Sequence, residues 1–339
     1  MIGPTHRRII VGLISCASVV VAGCASVSDH AQNSSLTALA TNEPAAGKGL
    51  RTLQGRRSCQ QHEFQSPAPS VLPRPGHMPA GTFMHEIQEK GRLVVGVDQN
   101  SLGLGYYNPS IRQMQGFDID MVREVARAIF GKTSGHITYK AISTKQRESA
   151  IVYQDVDIVA SAFSISCKRR RHVLFSSVYY VAHQRLLVPK GSGVQRLGDL
   201  RGKKVCATEK STSIERLEAL QAKTGIVPDP VSLRPDCLVR LHEGEVAAIA
   251  TDDTILYGFH KQDPQTRIVG RELGDEHYGM AINRHHPEFV PFVNAVLERL
   301  RANGCATAFQ QHWLQGLSTP TGARSSSRCA RRAARAVPG

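Results

Sequence analysis

The chain has 339 residues and a formal net charge of +14 at pH 7. Half of that charge comes from Arg7, Arg8 and five arginines between residues 324 and 335, so the rest of the sequence has only a modest excess. A modest excess without a platform of stacking aromatic side chains argues against nucleic acid as a partner, and anionic lipid or wall polymer is the expected counter-charge.

The first 23 residues predict a secretion signal, with a basic start and an apolar core at residues 9–21. That core is too short for a membrane span, which takes roughly 20 apolar residues. It ends in residues 21–24 (VAGC), which resemble the bacterial lipobox, whereas Cys16 lacks this motif. The resemblance implies that Cys24 is lipidated and anchors the protein outside the cytoplasmic membrane, at the cell surface or in the periplasm. An ordinary signal with an incidental cysteine is the alternative.

Two further segments have the composition of disordered chain. Residues 24–84 are rich in Ser, Ala, Pro, Gly and Gln with little apolar periodicity, which predicts a tether between the membrane and the folded body. Residues 318–339 contain five arginines and no acidic residue, which predicts a disordered basic tail.

Export favours disulfide bonds. Once Cys16 and Cys24 are set aside, the remaining cysteines are Cys59, Cys167, Cys206, Cys237, Cys305 and Cys329. None has a CxxC or Cys/His spacing of the zinc type, so we expect neither a metal site nor a cofactor. The pairing of Cys206 with Cys237 would join a strand to a helix start, and Cys59 with Cys167 is the second candidate pair.

The body between residues 85 and 317 alternates strand and helix patterns. A β-branched run at residues 92–97 predicts a buried strand, and residues 117–130 have apolar side chains at helical spacing. Further strands are predicted at residues 136–142, 156–162, 184–188, 204–207, 246–251 and 278–282, and further helices at 146–153, 213–223, 236–243, 287–303 and 306–313. This alternation predicts an α/β fold with two mainly parallel sheets.

The length of the body suits two lobes. Two extended stretches, at residues 179–190 and 276–283, look like crossings between them and predict a two-stranded hinge. The predicted domains are lobe 1 at residues 85–181, lobe 2 at residues 182–276, and a return to lobe 1 at residues 277–317.

Five phrases, in order, resemble the family-three extracellular solute-binding proteins, which are amino-acid receptors of ABC importers. They are residues 91–98 (GRLVVGVD), 116–121 (GFDIDM), 156–180 with SISCKR and VLFSSVYY, 197–205 (LGDLRGKKV) and 251–253 (TDD). The resemblance covers the whole body and implies a two-lobed periplasmic-binding-protein-like (type II) fold that closes over its ligand. The loop after residue 98 departs from the usual short form and resembles actinobacterial lipoproteins that handle glutamate, glutamine or aspartate.

The resemblance implies that Arg169 grips the α-carboxylate of the ligand. A guanidinium suits this role because it stays charged and meets a carboxylate in two parallel bonds. The alternative is that residues 169–171, three arginines in a row, form a solvated basic face. Ser164 and the carbonyl of Ala162 match positions that bind the ammonium group in the family.

The same resemblance assigns the ammonium's carboxylate partner to Asp252, with Asp253 as the fallback; one of the two acids could instead cap a helix. Ser211 and Thr212 stand at a helix start, where amide groups and the dipole favour anions, and Thr212 matches an amide donor. Asp98 begins the segment that sets side-chain specificity. Lys145 and Arg147 could supply a cation to an acidic side chain, although we expect both at the surface.

The implied function is a monomeric substrate-binding lipoprotein that captures a polar amino acid and delivers it to an ABC permease and its ATPase. A sensor module that reports amino-acid levels to a membrane partner or kinase pathway is the alternative. An enzyme on the same fold is disfavoured, because no nucleophile and base constellation is recognisable and the added domain of the transglycosylase relatives is lacking.

Overall fold

The computed structural model describes residues 59–60, 62–315, 317 and 325–335 of the chain. The predicted signal peptide and Cys24 lie outside these residues. None of the described helices is long and apolar enough to cross a membrane.

From Phe83 onward, helices and strands alternate along the chain. They are α1 Phe83–Glu89, β1 Leu93–Val97, β2 Asn100–Ser101, β3 Gly105–Asn108, β4 Gln113–Gln115, α2 Phe117–Phe130, β5 Ile137–Ala141, α3 Arg147–Val152, β6 Ile158–Val159, β7 Leu174–Phe175, β8 Tyr180–Pro189, β9 Lys204–Thr208, α4 Thr212–Thr224, β10 Val227–Val231, α5 Arg234–His242, β11 Ala248–Asp252, α6 Asp253–Gln262, β12 Thr266–Tyr278, β13 Ala281–Ile282, α7 Phe289–Ala302, α8 Cys305–Trp313 and α9 Ser327–Arg335.

The first lobe is built on a five-stranded sheet with the order β5-β1-β6-β13-β7. The apolar stripe of α2, including Ile119, Val122 and Ile129, is fully buried in the core of this lobe. The helix begins directly after Gly116, where a Cβ would lie 2.2 Å from the carbonyl oxygen of Leu104. Only glycine therefore fits this close approach before the helix.

The second lobe is built on a sheet with the order β10-β9-β11-β8-β12. Its two longest strands, β8 and β12, pair antiparallel from Tyr180 opposite Tyr278 to Pro189 opposite Thr266, with an irregularity between Val269 and Gly274. Since β7 and β13 belong to the first sheet, the chain passes between the lobes just before β8 and just after β12. The two-lobed α/β fold is confirmed, while the lobe boundaries given above stay a prediction.

The prediction of mainly parallel sheets was only half right. In each five-stranded sheet two neighbouring pairs of strands are parallel and two are antiparallel. The physical reason is the hinge: a chain that enters the second lobe along β8 and leaves along β12 must run in opposite directions in those strands. The sequence also missed the small antiparallel sheet of β2, β3 and β4.

The predicted tether is not wholly separate from the body. Cys59 and residues 62–78, which we call the strap, lie against the first lobe and are held there by a disulfide bond and side-chain hydrogen bonds. The basic tail also differs from the prediction of disorder, because residues 327–335 form α9. A disulfide bond and an ion pair from Arg332 to Glu124, at 3.2 Å, fix this helix, and composition alone does not reveal such links.

The expectation of disulfide bonds is confirmed. The structure pairs Cys206 with Cys237 and Cys59 with Cys167, as put forward from the sequence, and adds a third pair, Cys305 with Cys329. Cys206 lies in β9 and Cys237 in α5, so that bond joins a strand to a helix within the second lobe.

Candidate functional site

The predicted ligand-binding residues converge where the two lobes meet. The first lobe contributes the loop of residues 161–171, which follows β6. Near the start of this loop, Ala162 adopts the left-handed backbone region at φ +45°. Asp118 of the GFDID phrase holds this loop, since its carboxylate accepts from Ala162 N at 2.8 Å and from the Tyr179 hydroxyl at 2.7 Å. Burial raises the pKa of Asp118, and these two donors oppose the rise.

Arg169 points into the cleft between the lobes, and its side chain is buried. Its Nη1 donates to the Ser164 carbonyl at 2.6 Å in the first lobe, and its Nη2 donates to the Lys210 carbonyl at 3.2 Å in the second. Its guanidinium carbon lies 4.8 Å from the ring centre of Phe163. Burial lowers the pKa of Arg169, and nearby carboxylates led by Glu276 oppose that shift.

Its neighbours are placed differently. Arg170 turns away and donates to the backbone carbonyls of Glu63 and Gln65 in the strap. Arg171 is exposed to solvent. Of the three consecutive arginines, Arg169 is therefore the one placed in the cleft.

Arg147 is a buried cation of the first lobe that contacts the loop of residues 161–171, so the expectation that it lies at the surface was wrong. It is 3% exposed and donates to the carbonyls of Thr144, Ser161 and Ala162. Its guanidinium lies 4.4 Å from the ring centre of Phe163, the same ring that Arg169 contacts. Burial is the main reason that the pKa of Arg147 lies well below its usual value, and repulsion from Arg169 and then from Arg234 lowers it further.

Within residues 59–60, 62–315, 317 and 325–335, no carboxylate forms an ion pair with Arg147. A buried, unpaired guanidinium is costly, so this position favours an anionic group from outside the chain. Lys145, by contrast, lies at the surface as expected, and its Nζ is 3.5 Å from Glu209 Oε1 across the cleft mouth.

The two adjacent acids of the second lobe have separate roles. Asp253 Oδ1 accepts from the backbone amides of Thr254 and His183, so this residue secures the start of α6 and the neighbouring strand β8. Asp252 ends β11, and its Oδ2 accepts from the Tyr278 hydroxyl. Its Oδ1 is buried and has no hydrogen-bond partner in the described part of the chain. Burial, and then the nearby Glu276 carboxylate, raise the pKa of Asp252 to about 7.

The start of α4 forms another part of the second lobe's wall. The Ser211 hydroxyl caps this helix by accepting from Ile214 N at 3.1 Å, so this hydroxyl already has a hydrogen-bond partner within the second lobe. The Thr212 hydroxyl donates to Glu276 at 2.8 Å. A ligand carboxylate at this end would meet the first backbone amides and the favourable end of the helix dipole.

Asp98 is paired across the cleft with a residue that sequence reasoning missed. Its Oδ2 accepts from Arg234 Nη1 of α5 at 2.6 Å and from the Ser101 hydroxyl at 2.6 Å. Arg234 also donates to the Ser161 carbonyl at 3.3 Å, so it ties the second lobe to the first at two points. The sequence signal that could have indicated Arg234 is its position in the first turn of a helix, because the helix dipole disfavours a cation there.

Replacing Arg234 by methionine should leave Asp98 as an uncompensated buried charge. We expect the free energy of unfolding to fall by ~3 kcal/mol and the ligand-free protein to open, with a larger radius of gyration in small-angle X-ray scattering. The double variant Arg234→Met with Asp98→Asn is the control and should recover most of the stability. Equal stability of the single variant and the original protein would contradict a closing role for this pair.

A cavity of about 320 Å³ opens beside Arg169 between the lobes. It is lined by Lys145, Glu148, Phe163, Arg169, Lys210 and Glu215, among others. Arg169 lines this cavity, whereas Arg147 and Asp252 are buried next to the hinge region and are not among its lining residues. The region where the lobes meet thus contains buried guanidinium groups on the first lobe and a buried carboxylate on the second. Such an arrangement can hold a zwitterion by its two charges as the lobes close.

Comparison with known proteins identifies the family of this chain. The family model of the bacterial extracellular solute-binding proteins, family 3, matches residues 93–316. The chain belongs to this family. Among the curated relatives, the ABC transporter glutamine-binding protein GlnH of Bacillus subtilis is 28% identical over 230 residues, which cover 68% of this chain and 83% of that protein. The glutamate-binding protein GluB of Corynebacterium glutamicum is 31% identical, with coverage of 64% and 76%.

Solved structures of other solute-binding proteins have the same fold. An ancestral arginine-binding protein bound to arginine aligns with a TM-score of 0.60 and 26% identity, covering 66% of this chain and 98% of that one. The cysteine-binding protein of Campylobacter jejuni aligns with a TM-score of 0.65 and 20% identity, covering 71% and 97%. This solute-binding protein therefore has a type II periplasmic-binding-protein fold and an extracytoplasmic site of action.

Proposed function

We propose that this protein is the ligand-capturing lipoprotein of an ABC importer for an acidic amino acid, with glutamate as the leading candidate. The observation that carries the acidic preference is Arg147, a buried guanidinium next to the loop of Arg169 that forms no ion pair with a carboxylate among the described residues. The names of the glutamate-binding and glutamine-binding relatives support a ligand of this size and polarity.

The proposed binding mode uses all three charges of the ligand. Arg169 takes the α-carboxylate in two parallel hydrogen bonds, together with the amide groups at the start of α4. The free Oδ1 of Asp252 accepts from the α-ammonium group, together with Ser164 and the Ala162 carbonyl, which also accepts from Arg147 Nη1 at 2.9 Å. Arg147 takes the side-chain carboxylate. Each ligand charge would thereby meet a buried group of opposite sign.

Closure of the two lobes captures the ligand without covalent chemistry. The closed protein then presents the ligand to an ABC permease and its ATPase, and Cys24 keeps it at the extracellular face of the membrane through its lipid. The proposal includes no cofactor and no catalytic step. Isothermal titration of the purified protein against the twenty amino acids tests it, and no heat with any of them would refute it.

Arg147→Gln should change the ligand preference from acid to amide. The glutamine side chain keeps donors for the Ala162 carbonyl but loses the charge that attracts a carboxylate. We expect glutamate to bind at least about 30-fold more weakly, because a charge-assisted hydrogen bond in a desolvated site is lost, and glutamine to bind as well as before or better.

Arg171→Gln is the matched control, since it removes the same functional group from an exposed position of the same lobe that does not line the cavity. It should change glutamate affinity by less than about threefold, as expected for an exposed charge. Equal losses in the two variants would mean that long-range charge, and not a contact with Arg147, determines the preference.

A further inference from the structure

The strap contacts the residues on both sides of the arginine that is proposed to hold the ligand. Cys59 forms its disulfide bond with Cys167, two positions before Arg169. Glu63 Oε1 accepts from the backbone amide of Cys167 at 2.7 Å. Arg170, directly after Arg169, donates to the carbonyls of Glu63 and Gln65, both at 2.6 Å.

The loop that these contacts hold has little stability of its own. Residues 169–171 form a single 3₁₀ turn, and such turns are short and have weak hydrogen-bond geometry. Within the loop, the amide of Arg170 donates to Ser166 O, and the amides of His172 and Val173 donate to Arg169 O. The backbone of this turn therefore depends on contacts from outside the loop, in addition to the contacts of the Arg169 side chain with Ser164 and Phe163.

Those outside contacts come from two sides. On one side, β12 holds the loop, since Ile165 N donates to His277 O at 2.8 Å and Ser164 bridges to Tyr278. On the other side lies the strap. The Phe64 ring stacks on the His277 ring at 3.9 Å between centres, so the strap also contacts the hinge strand that supports the loop.

The far end of the strap is anchored in the first lobe. Asn294 of α7 is buried and donates to the Ser66 hydroxyl and the Pro67 carbonyl, both at 2.7 Å. Ser70 N donates to Pro291 O at 3.0 Å, and Ser66 Oγ donates to Phe175 O at 3.2 Å. The strap therefore connects α7 to the loop that contains Arg169.

We propose that the strap is a positioning element for ligand binding: its disulfide bond and its two carbonyl contacts with Arg170 hold the loop so that Arg169 faces the cleft. This proposal rests on the proposed function, in which Arg169 holds the α-carboxylate. Arg170 is accordingly a positioning residue, which acts through its neighbour and does not contact the ligand. The strap lies outside the 93–316 region that the family model matches.

Two variants of the full chain, purified in detergent, test the proposal with L-glutamate as the probe. Arg170→Gln removes the contacts with the strap carbonyls, and Cys59→Ser with Cys167→Ser removes the disulfide bond. Each should weaken glutamate binding in isothermal titration about tenfold, the size of coupling typical of directly linked residues. Cys305→Ser with Cys329→Ser, which also removes one disulfide bond, is the control and should stay within twofold.

Repeating Arg170→Gln in an Arg169→Lys background separates a positioning effect, which acts through Arg169, from a general structural effect. A lysine makes no paired, planar contact with a carboxylate, so the loss should shrink to less than twofold. A tenfold loss in both backgrounds, or no loss in either strap variant, would overturn the proposal.

Amide hydrogen exchange of the ligand-free protein supplies a readout that does not need the ligand. The amides of Arg170, His172 and Val173 should exchange faster in Arg170→Gln than in the original protein, whereas the amides of β11 should not change. Unchanged exchange at these three positions would refute the positioning role. If the original protein binds no amino acid but exchange rises as expected, the proposed function fails and the mechanical role of the strap stands.

Discussion

Replacing Arg169 by methionine should weaken the binding of glutamate by about 100-fold, or ~3 kcal/mol, the cost of removing one partner from a buried charge-assisted pair. Methionine keeps much of the side-chain volume but makes none of the hydrogen bonds that Arg169 gives to Ser164 and Lys210. Isothermal titration of the variant and the original protein measures the difference.

The neighbouring arginine supplies the matched control for this experiment. Arg171 is exposed, so Arg171→Met removes the same functional group from the same turn without entering the cleft. We expect its affinity to stay within about threefold, because exposed charges contribute little. If Arg169→Met bound glutamate as well as Arg171→Met, the α-carboxylate would have to lie on Arg147 instead.

Asp252→Asn should make the ligand-free protein more stable while it abolishes most of the binding. The pKa of Asp252 is about 7 in the folded protein and 3.8 in its ordinary environment, so folding disfavours the ionised form. This group therefore destabilises the folded state increasingly as the pH rises from about 4 to about 7, and the full cost persists at higher pH. At pH 8 asparagine should raise the free energy of unfolding by ~1–3 kcal/mol, which a thermal or urea melt detects.

The effect of the same substitution on binding has the opposite sign. Asparagine cannot provide the anionic oxygen for the ammonium group, so we expect glutamate affinity to fall by at least about 30-fold. In the original protein, ligand binding should release a proton below pH 7, so that affinity falls up to about tenfold per pH unit as the pH decreases. This pH dependence should be much reduced in Asp252→Asn.

Asp253→Asn is the control for both effects, because Asp253 Oδ1 accepts from the backbone amides of His183 and Thr254 and thereby serves the second lobe itself. Burial raises the pKa of Asp253 while the amides of His183 and Thr254 oppose the rise, so we expect a small change in stability and an unchanged pH dependence of binding. A stabilising effect of Asp253→Asn together with no effect of Asp252→Asn would reverse the two assignments.

Much of the fold was predictable from local patterns. The helix at residues 117–130 has the predicted bounds, because its apolar stripe and the closing Gly131 are both local signals. The ends of strand β1 and of helices α4, α7 and α8 lie within two residues of the predicted ends. Short strands in turn-rich sequence, such as those between residues 100 and 115, were missed because their pairing depends on partners and not on periodicity.

The candidate site was only partly predictable for the same reason. The resemblance indicated Arg169 and Asp252, and both lie at the cleft. It could not separate the surface residue Lys145 from the buried Arg147, since both begin the same helical stretch and only the packing on Phe163 distinguishes them. Nor did it indicate Arg234, whose partner Asp98 is 136 positions away in the chain.

The sequence by itself determined the α/β class, the family, the cysteines available for disulfide bonds and the type of ligand group that Arg169 can hold. These depend on composition, on motifs and on hydrophobic periods, which are all written along the chain. The tertiary structure decided which of three consecutive arginines faces the cleft, which of two adjacent acids has a buried oxygen without a hydrogen-bond partner among the described residues, and that the strap is bound to the body. Each of these depends on burial and on contacts between distant residues, which local sequence does not encode.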